Sequence, residues 1–360
     1  MSLFSLIKKK EDCNVGVKSI GIKTPLIREG DDIVSIVIDS VLKTNIKLNN
    51  KDIIGITESV IARSTGNFVT VDDIAEDVKS KFGEDATVCL INPIYSRNRF
   101  AMILKGIARG VKKLYIAMPS KDEVGNVLRD HPFTGINYDD YYREIVEGEG
   151  TECVVYTDTD FDIEGDNIIY CGLHDYKEMK ESGKIASEHF FTLADICNET
   201  CEYGVLGSNK ATEEKLKLFP NTQTANNICL KIKEEIKNKT GKDVIVVVYG
   251  DGCFKSPGSV SIWEFADPIT MPAYTDPEII ESTPNELKLK AIIDESAGDA
   301  EVRKKLYGKQ KDLKGNMASQ GTTPRMYRDL IASLMDLTSG SGDKGTPVVL
   351  IQNYFSSFVS

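Results

Sequence analysis

The chain has 360 residues, 41% hydrophobic and 28% charged, with a formal net charge of -11. That is an ordinary folded composition, long enough for a large core and for two or three domains or one elaborated unit. The acidic balance argues against a general nucleic-acid binder, which needs phosphate-neutralising basic surface, and no stretch approaches the ~20 apolar residues of a membrane span. The first residues, "MSLFSLIKKKEDCNVG", carry their charges after a short apolar run, the reverse of a signal peptide. The expected compartment is the cytoplasm, with neither nucleic acid nor membrane as partner.

In chain order, "SIGIKTPLIREGDDIVSIVIDSVL" (Ser19–Leu42) predicts a strand, a Pro-containing turn and a helix from about Asp31. Acids at Asp31 and Asp32 suit a helix start, where cap and dipole favour them. "KDIIGITESVIARSTGNFVT" (Lys51–Thr70) reads as a strand, a polar interruption at Thr57–Ser59 and a second apolar piece. "TVCLINPIYSRNRFAMILKGIARGVKKLYIAMP" (Thr87–Pro119) has the strand–helix–strand pattern of a βαβ unit. The acidic stretch that follows contains two short strands, around "ECVVYT" and "NIIYCG". From Thr212 to Gly252 the sequence predicts a loop through "TEEKLKLFPNTQ", an amphipathic helix and a strand, with Ile228, Ile232 and Ile236 at helical spacing as core residues. "TPRMYRDLIASLMDLTSGSGDKGTPVVLIQNYF" (Thr323–Phe355) predicts a helix, a glycine-serine loop and a strand. Strands and helices mix without strict alternation, so the expected class is α+β.

Two features carry chemistry or its absence. The apolar run Val244–Tyr249 meets "GDGCFKSPGS" (Gly250–Ser259), and glycines on both sides of Asp251 predict a sharp turn or a close approach to a ligand. The competing reading is a tight turn in which Asp251 bonds its own backbone. Of eight cysteines, only Cys197 and Cys201 are close neighbours, and His131, His174 and His189 show no ligand spacing. Zinc sites bring two close pairs or nearby histidines, so free thiols are expected and no structural metal at Cys197 and Cys201.

Four separated segments belong together: "TPLIREGDDI" (Thr24–Ile33), "KDIIGITESVIARSTG" (Lys51–Gly66), "YGVLGSN" (Tyr203–Asn209) continuing through "KLFP" to "YGDG", and "LIASLMDLTSGSGDKGTPVVLIQN" (Leu330–Asn353). In order and internal spacing they resemble the coenzyme F-420 gamma-glutamyl ligase family. The second segment is similar to that family's Gly-Asp-Val…Ser-Lys-x-x-Gly hairpin. Residues of about 83–199 and 255–325 have no counterpart. The organisation implied is a ligase-like core from 1–82 and 200–360, with mixed sheets in two subdomains and an inserted α/β segment at 83–199.

The resemblance implies amide-bond formation between L-glutamate and a deazaflavin-linked acceptor, with GTP, a divalent ion (Mg or Mn) and a homodimer. Carried residue by residue, nucleotide-binding positions are Thr24, Pro25, Leu26 and Ile27, then Glu58, Ser59 and Arg63, then Asn209. Apart from the residues carried over, Lys255 and Ser256 are read as phosphate contacts of a rearranged site, and the backbone of Gly340, Gly342 and Gly345 as a phosphate cradle. Asp251 and Asp336 are the implied metal carboxylates, with Glu264 and Asp267 as possible substitutes. Leu206 and Gly252 stand where the family carries further metal ligands, and Leu337 falls near the position of another acid. No catalytic residue is identified. Two alternatives remain open: glutamate ligation to a folate or another acceptor, and a nucleotide- or metabolite-binding protein that kept the scaffold without catalysis.

Overall fold

The computed structural model describes residues 16–91, 93, 98–118, 130, 134–157, 167–171, 189–255, 262–281, 292–298, 300–302, 304–305, 326–340 and 345–355, with backbone alone at 157, 251–255 and 262–272. In chain order it forms β1 (Lys18–Ile22), α1 (Ile33–Lys43), β2 (Ile53–Thr57), α2 (Glu58–Ser64), β3 (Phe68–Thr70) and α3 (Val71–Phe82). There follow β4 (Thr87–Ile91), α4 (Arg99–Arg109), β5 (Lys113–Met118), α5 (Tyr138–Gly148), β6 (Glu152–Thr157), β7 (Asn167–Tyr170) and β8 (His189–Thr192). The last elements are β9 (Ser208–Lys210), β10 (Lys215–Leu218), α6 (Thr222–Thr240), β11 (Ile245–Lys255), β12 (Ile262–Tyr274), α7 (Tyr327–Ser339) and β13 (Val348–Gln352). The class is α+β, and no helix among the described residues is long and apolar enough to cross a membrane.

Helix starts follow their caps. Asp32 accepts from the N–H groups of Val34 and Ser35 and from the Ser35 hydroxyl at 2.7 Å. The Ser35 hydroxyl and then its N–H hold the Asp32 carboxyl below the usual range. Thr70 and Asp73 form a reciprocal capping box at α3, and α6 runs from Asn221 to a left-handed Gly241.

Among the described residues three sheets result. The first has the order β1-β13-β2-β11-β12, with β2 and β11 parallel and the other pairs antiparallel. On one face it packs α1 and α6 through Val37, Val41, Ile228, Ile232 and Ile236; on the other lies α7 with Ile331 and Met335. A small antiparallel sheet, β3-β10-β9, adjoins a wholly parallel sheet of order β6-β5-β4-β7-β8. Within the α+β whole, this parallel sheet therefore has a doubly wound strand order. Its core is shared: Val69–Val78, Phe100–Ile107 and Leu216–Phe219 all enter one apolar cluster.

Three local expectations change. Thr57–Ser59 is not an interruption within a hairpin but the start of α2, because the Thr57 hydroxyl accepts from the Ser59 N–H and caps a helix there. Residues Lys215–Leu218 are a strand rather than a loop, paired on both sides by β3 and β9. The strand opened at Val244 does not turn at Gly250–Asp251–Gly252; it continues to Lys255 along β12, with irregularities between Val248 and Gly250 and between Asp251 and Cys253.

The first sheet is locked at one end by a buried polar pair. Gln352 donates to Asp52 at 2.7 Å and to the Lys47 carbonyl at 3.1 Å, and Asp52 also accepts from the Asn49 N–H. Both side chains are buried, and a buried carboxylate robbed of a donor costs about 1–3 kcal/mol. Gln352→Leu is expected to lower unfolding free energy by about that amount in urea titration, with unchanged slope. A loss within ~0.5 kcal/mol, the range of ordinary surface changes, contradicts this account of the pair.

Candidate functional site

The carboxyl end of β2 and the middle of β11, at Tyr249 and Gly250, open into a cleft of ≈ 690 Å³. One wall is the turn after β1, with Thr24, Pro25, Leu26 and Ile27; Ile27 is buried and Leu26 stands exposed on the rim. The second wall is α2, which brings Glu58, Ser59 and Arg63, and the third is Asn209 on β9. Asp336 and Gly340 from the end of α7, with Gly345 beyond, close the fourth side. Residues spread from Thr24 to Gly345 thus meet in one space.

Rigidity comes from β2 passing into α2 without an intervening residue. The Thr57 N–H donates to the Pro347 carbonyl at 3.0 Å, which ties this junction to β13. The Thr346 hydroxyl donates to the Ser339 carbonyl at 2.7 Å, and Thr24 N–H reaches the Gly345 carbonyl at 3.4 Å. Each wall is bonded to another.

Glu58 is only 3% exposed. Its Oε1 accepts from Asn209 Nδ2 at 3.2 Å, and its stem lies on Gly250, where an added Cβ would fall 2.2 Å from Glu58 Cγ. This close approach is the reason for the first glycine of "GDG". Beside Glu58, Lys217 of β10 reaches into the cleft at 6% exposure and donates to the Ser59 hydroxyl. Burial holds the Lys217 ammonium below the ordinary lysine value; Glu58 opposes that shift and Arg63 adds to it. Tyr249, 1% exposed, lines the floor. Burial pushes its phenol up to about 12, with Ser339 opposing and Asp336 adding. The Ser339 hydroxyl donates to the Asp336 carbonyl instead, and the Tyr249 hydroxyl has no well-formed hydrogen bond among the described residues.

Lys217 and Tyr249 were not among the expected site residues. The signal for Lys217 was present in "KLKL": Leu216 and Leu218 are core residues, so strand alternation puts Lys217 on the opposite face. Ser256 and Gly342 are outside the described residues, and Asp251, Lys255, Glu264 and Asp267 are described by backbone alone, Asp251 opposite Ile269 in the ladder.

The family model for F420-0:gamma-glutamyl ligase matches residues 21–353. The chain belongs to that family.

No curated protein matches it. Among solved structures, the tetrameric eIF2B-beta2-delta2 complex from C. thermophilum shows 12% identity over 28% of this chain and 31% of that one, at a TM-score of 0.17. The eIF2B beta structure from Chaetomium thermophilum shows 10% identity over 28% and 29%, at a TM-score of 0.18. This chain thus covers under a third of either, and neither likeness bears on its activity.

For this ligase-family chain, the cleft also answers what a divalent ion would meet. Among the described residues no group of three or more His, Cys, Asp or Glu side chains is set to hold a metal. Glu58 and Asp336 are the described carboxylates in the cleft. One or two carboxylates, with substrate phosphates and waters, are what magnesium ordinarily uses, so this donor set fits an ion carried in on a nucleotide. Leu206, where the resemblance implies an aspartate, is buried in the core. Cys201 is buried and Cys197 half-buried, both free thiols pushed up to about 12 by burial.

The charge cluster makes a signed prediction. By lysine-resolved NMR titration, Lys217 should titrate below 10.5, the ordinary value. Glu58→Gln should lower its pKa further, and Arg63→Met should raise it, because the two neighbours act in opposite directions. Shifts of the reverse sign would show that neither charge acts on the ammonium.

Proposed function

We propose that this chain is a nucleotide-dependent amide ligase. It joins the amine of L-glutamate to a carboxylate on a deazaflavin-type acceptor, with GTP as phosphoryl donor and magnesium or manganese accompanying it. The observation that carries this reading is the cleft itself: a buried Lys217, with Arg63, Ser59 and Asn209, gathered on two walls around Glu58 in a member of a gamma-glutamyl ligase family.

Phosphate oxygens fit beside Lys217 and Arg63, the one a point charge and the other a planar fork. Thr24–Ile27 serve as the base or ribose wall, with Asn209 and Ser59 as hydrogen-bonding groups. Gly340, Gly342 and Gly345 are proposed as backbone donors to phosphate, and Lys255 and Ser256 as further phosphate contacts. Asp336, joined by Asp251, anchors the divalent ion, which when bound neutralises phosphate charge. The acceptor carboxylate displaces the nucleoside diphosphate at the γ-phosphorus; the glutamate amine then displaces phosphate from the acyl group and loses a proton. The buried floor at Tyr249 excludes water from that acyl phosphate.

Residues 83–199 are read as an inserted α/β segment between the two parts of the ligase core, 1–82 and 200–360. The functional unit is proposed to be a cytoplasmic homodimer. The reading without catalysis draws on Leu206, which withdraws one carboxylate from the cleft, and a folate-type acceptor is the variant within the ligase reading.

Glutamate- and acceptor-dependent phosphate release from GTP decides between the enzyme and the binder. GTP affinity should rise with magnesium and fall at least about tenfold in Lys217→Met, the loss expected for one charged contact. It should also weaken as pH rises through the lowered Lys217 pKa, since only the ammonium attracts phosphate, and Lys217→Met should remove that limb. GTP binding indifferent to magnesium, pH and Lys217 would sink this reading.

A further inference from the structure

Beside the cleft lies a second hollow of ≈ 260 Å³, and Arg63 belongs to the walls of both. The other charged side chains of the hollow are Arg28, Glu29 and Lys215, and Phe68 forms its apolar surface. Lys215 Nζ sits 4.5 Å from the centre of the Phe68 ring. That places three cations and one acid around a space just under the ~300–1,000 Å³ of drug-sized ligand pockets.

Of these charges, Lys215 has a contact within the fold, over the Phe68 ring. Among the described residues, none of Arg28, Glu29, Arg63 and Lys215 is joined in an ion pair, although the chain is acidic overall. Three like charges facing one hollow repel each other, and a bound anion relieves that repulsion. Glu29 has a seat of its own: an added Cβ at Gly66, which has φ +68°, would lie 2.8 Å from Glu29 Oε1. The Gly30 N–H donates to the Ser64 carbonyl at 2.9 Å and fixes this turn against the end of α2.

We propose that the hollow is the L-glutamate subsite. A ligand with two carboxylates and one ammonium complements three cations and one carboxylate, and neither a simple anion nor a neutral molecule does. The carboxylates lie toward Arg28, Lys215 and Arg63, and the ammonium lies toward Glu29. Phe68 covers the methylene stem. Because Arg63 is the shared wall, the bound amino acid stands next to the phosphate end of the large cleft. This assignment rests on the ligase reading for the identity of its ligand, but its geometry belongs to a separate space.

The test is equilibrium binding of L-glutamate to the full chain with GDP and magnesium present, alongside succinate, L-glutamine and inorganic phosphate. L-glutamate should bind at least about tenfold more tightly than succinate, which lacks the ammonium and one methylene, or L-glutamine, which lacks the side-chain carboxylate. Lys215→Met and Arg28→Met should each weaken L-glutamate at least about tenfold, while GDP affinity in Lys215→Met stays unchanged. Glu29→Gln should weaken L-glutamate without weakening succinate, from which it removes a repelling charge. Thermal melting of each variant checks that folding is intact; the Arg28 and Glu29 side chains are exposed and Lys215 is half-buried. L-glutamate binding that is absent, or equal in wild type and all three variants, overturns the subsite. So does phosphate competing as well as L-glutamate with no effect of Glu29→Gln. Glutamate-dependent phosphate release with an unchanged glutamate KM in the variants leaves the ligase standing and removes the subsite. Charge-selective binding without any phosphate release keeps the subsite and removes the ligase.

Discussion

The cleft depends on keeping one carboxylate out of water. Glu58 begins α2 where β2 ends, bonds to Asn209 on the neighbouring sheet and rests on Gly250 of β11. A buried charge is costly unless compensated; Asn209 donates to this one, and Lys217 on β10 brings an ammonium into the same cleft. Two sheets with separate hydrogen-bond ladders are therefore joined through charge and hydrogen bonding at the point where the cavity opens. Separating them would strand Glu58 and Lys217 without each other. The position of the cavity is a consequence of that constraint as much as of the surrounding loops.

The strands obey a related rule. β2 and β11 are the parallel pair in an otherwise antiparallel sheet, and the cleft opens where β2 ends, beside Tyr249 and Gly250 of β11. In open α/β sheets, ligands lie outside the carboxyl ends of parallel strands, where chain connections diverge. Here the two strands diverge sharply: β2 turns at once into α2, while β11 runs on with β12. The space between those departures is floored by Tyr249 and walled by Glu58. Arg109 performs a comparable joining role farther away, bonding Asp72 at 2.6 Å and Glu149 at 2.8 Å, so that helices α3, α4 and α5 stay in one layer.

Much of this architecture was legible in the residues. The isoleucines of α6, the βαβ pattern from Thr87 and the acids before α1 follow local rules of periodicity and capping, and local rules survive folding. The gathering of Thr24, Arg63, Asn209 and Asp336 was legible only through the order of four distant segments, since no local pattern links them. Three features were hidden for physical reasons. Val60 and Ile61 have only modest helix propensity, so the single capping hydroxyl of Thr57 decided α2. Gly250 looked like turn chemistry, whereas its role is to leave room for a side chain nearly two hundred positions earlier in the chain. Lys217 was hidden within a stretch read as a loop, because the two strands pairing with β10 are themselves only three residues long.

The placement of β13 has a temporal meaning. It lies between β1 and β2, pairing Lys18 with Gln352 and Ile53 with Ile351, so the first sheet lacks an interior strand until nearly all the matched sequence has been synthesised. The parallel sheet between Thr87 and Thr192 has its pairing partners available much earlier. On a ribosome adding ~5–20 residues per second, β1 and β2 wait tens of seconds with an open edge between them, a known hazard for mispairing. The large cleft is thus completed only once β13 has emerged, when every strand of the parallel sheet is already available.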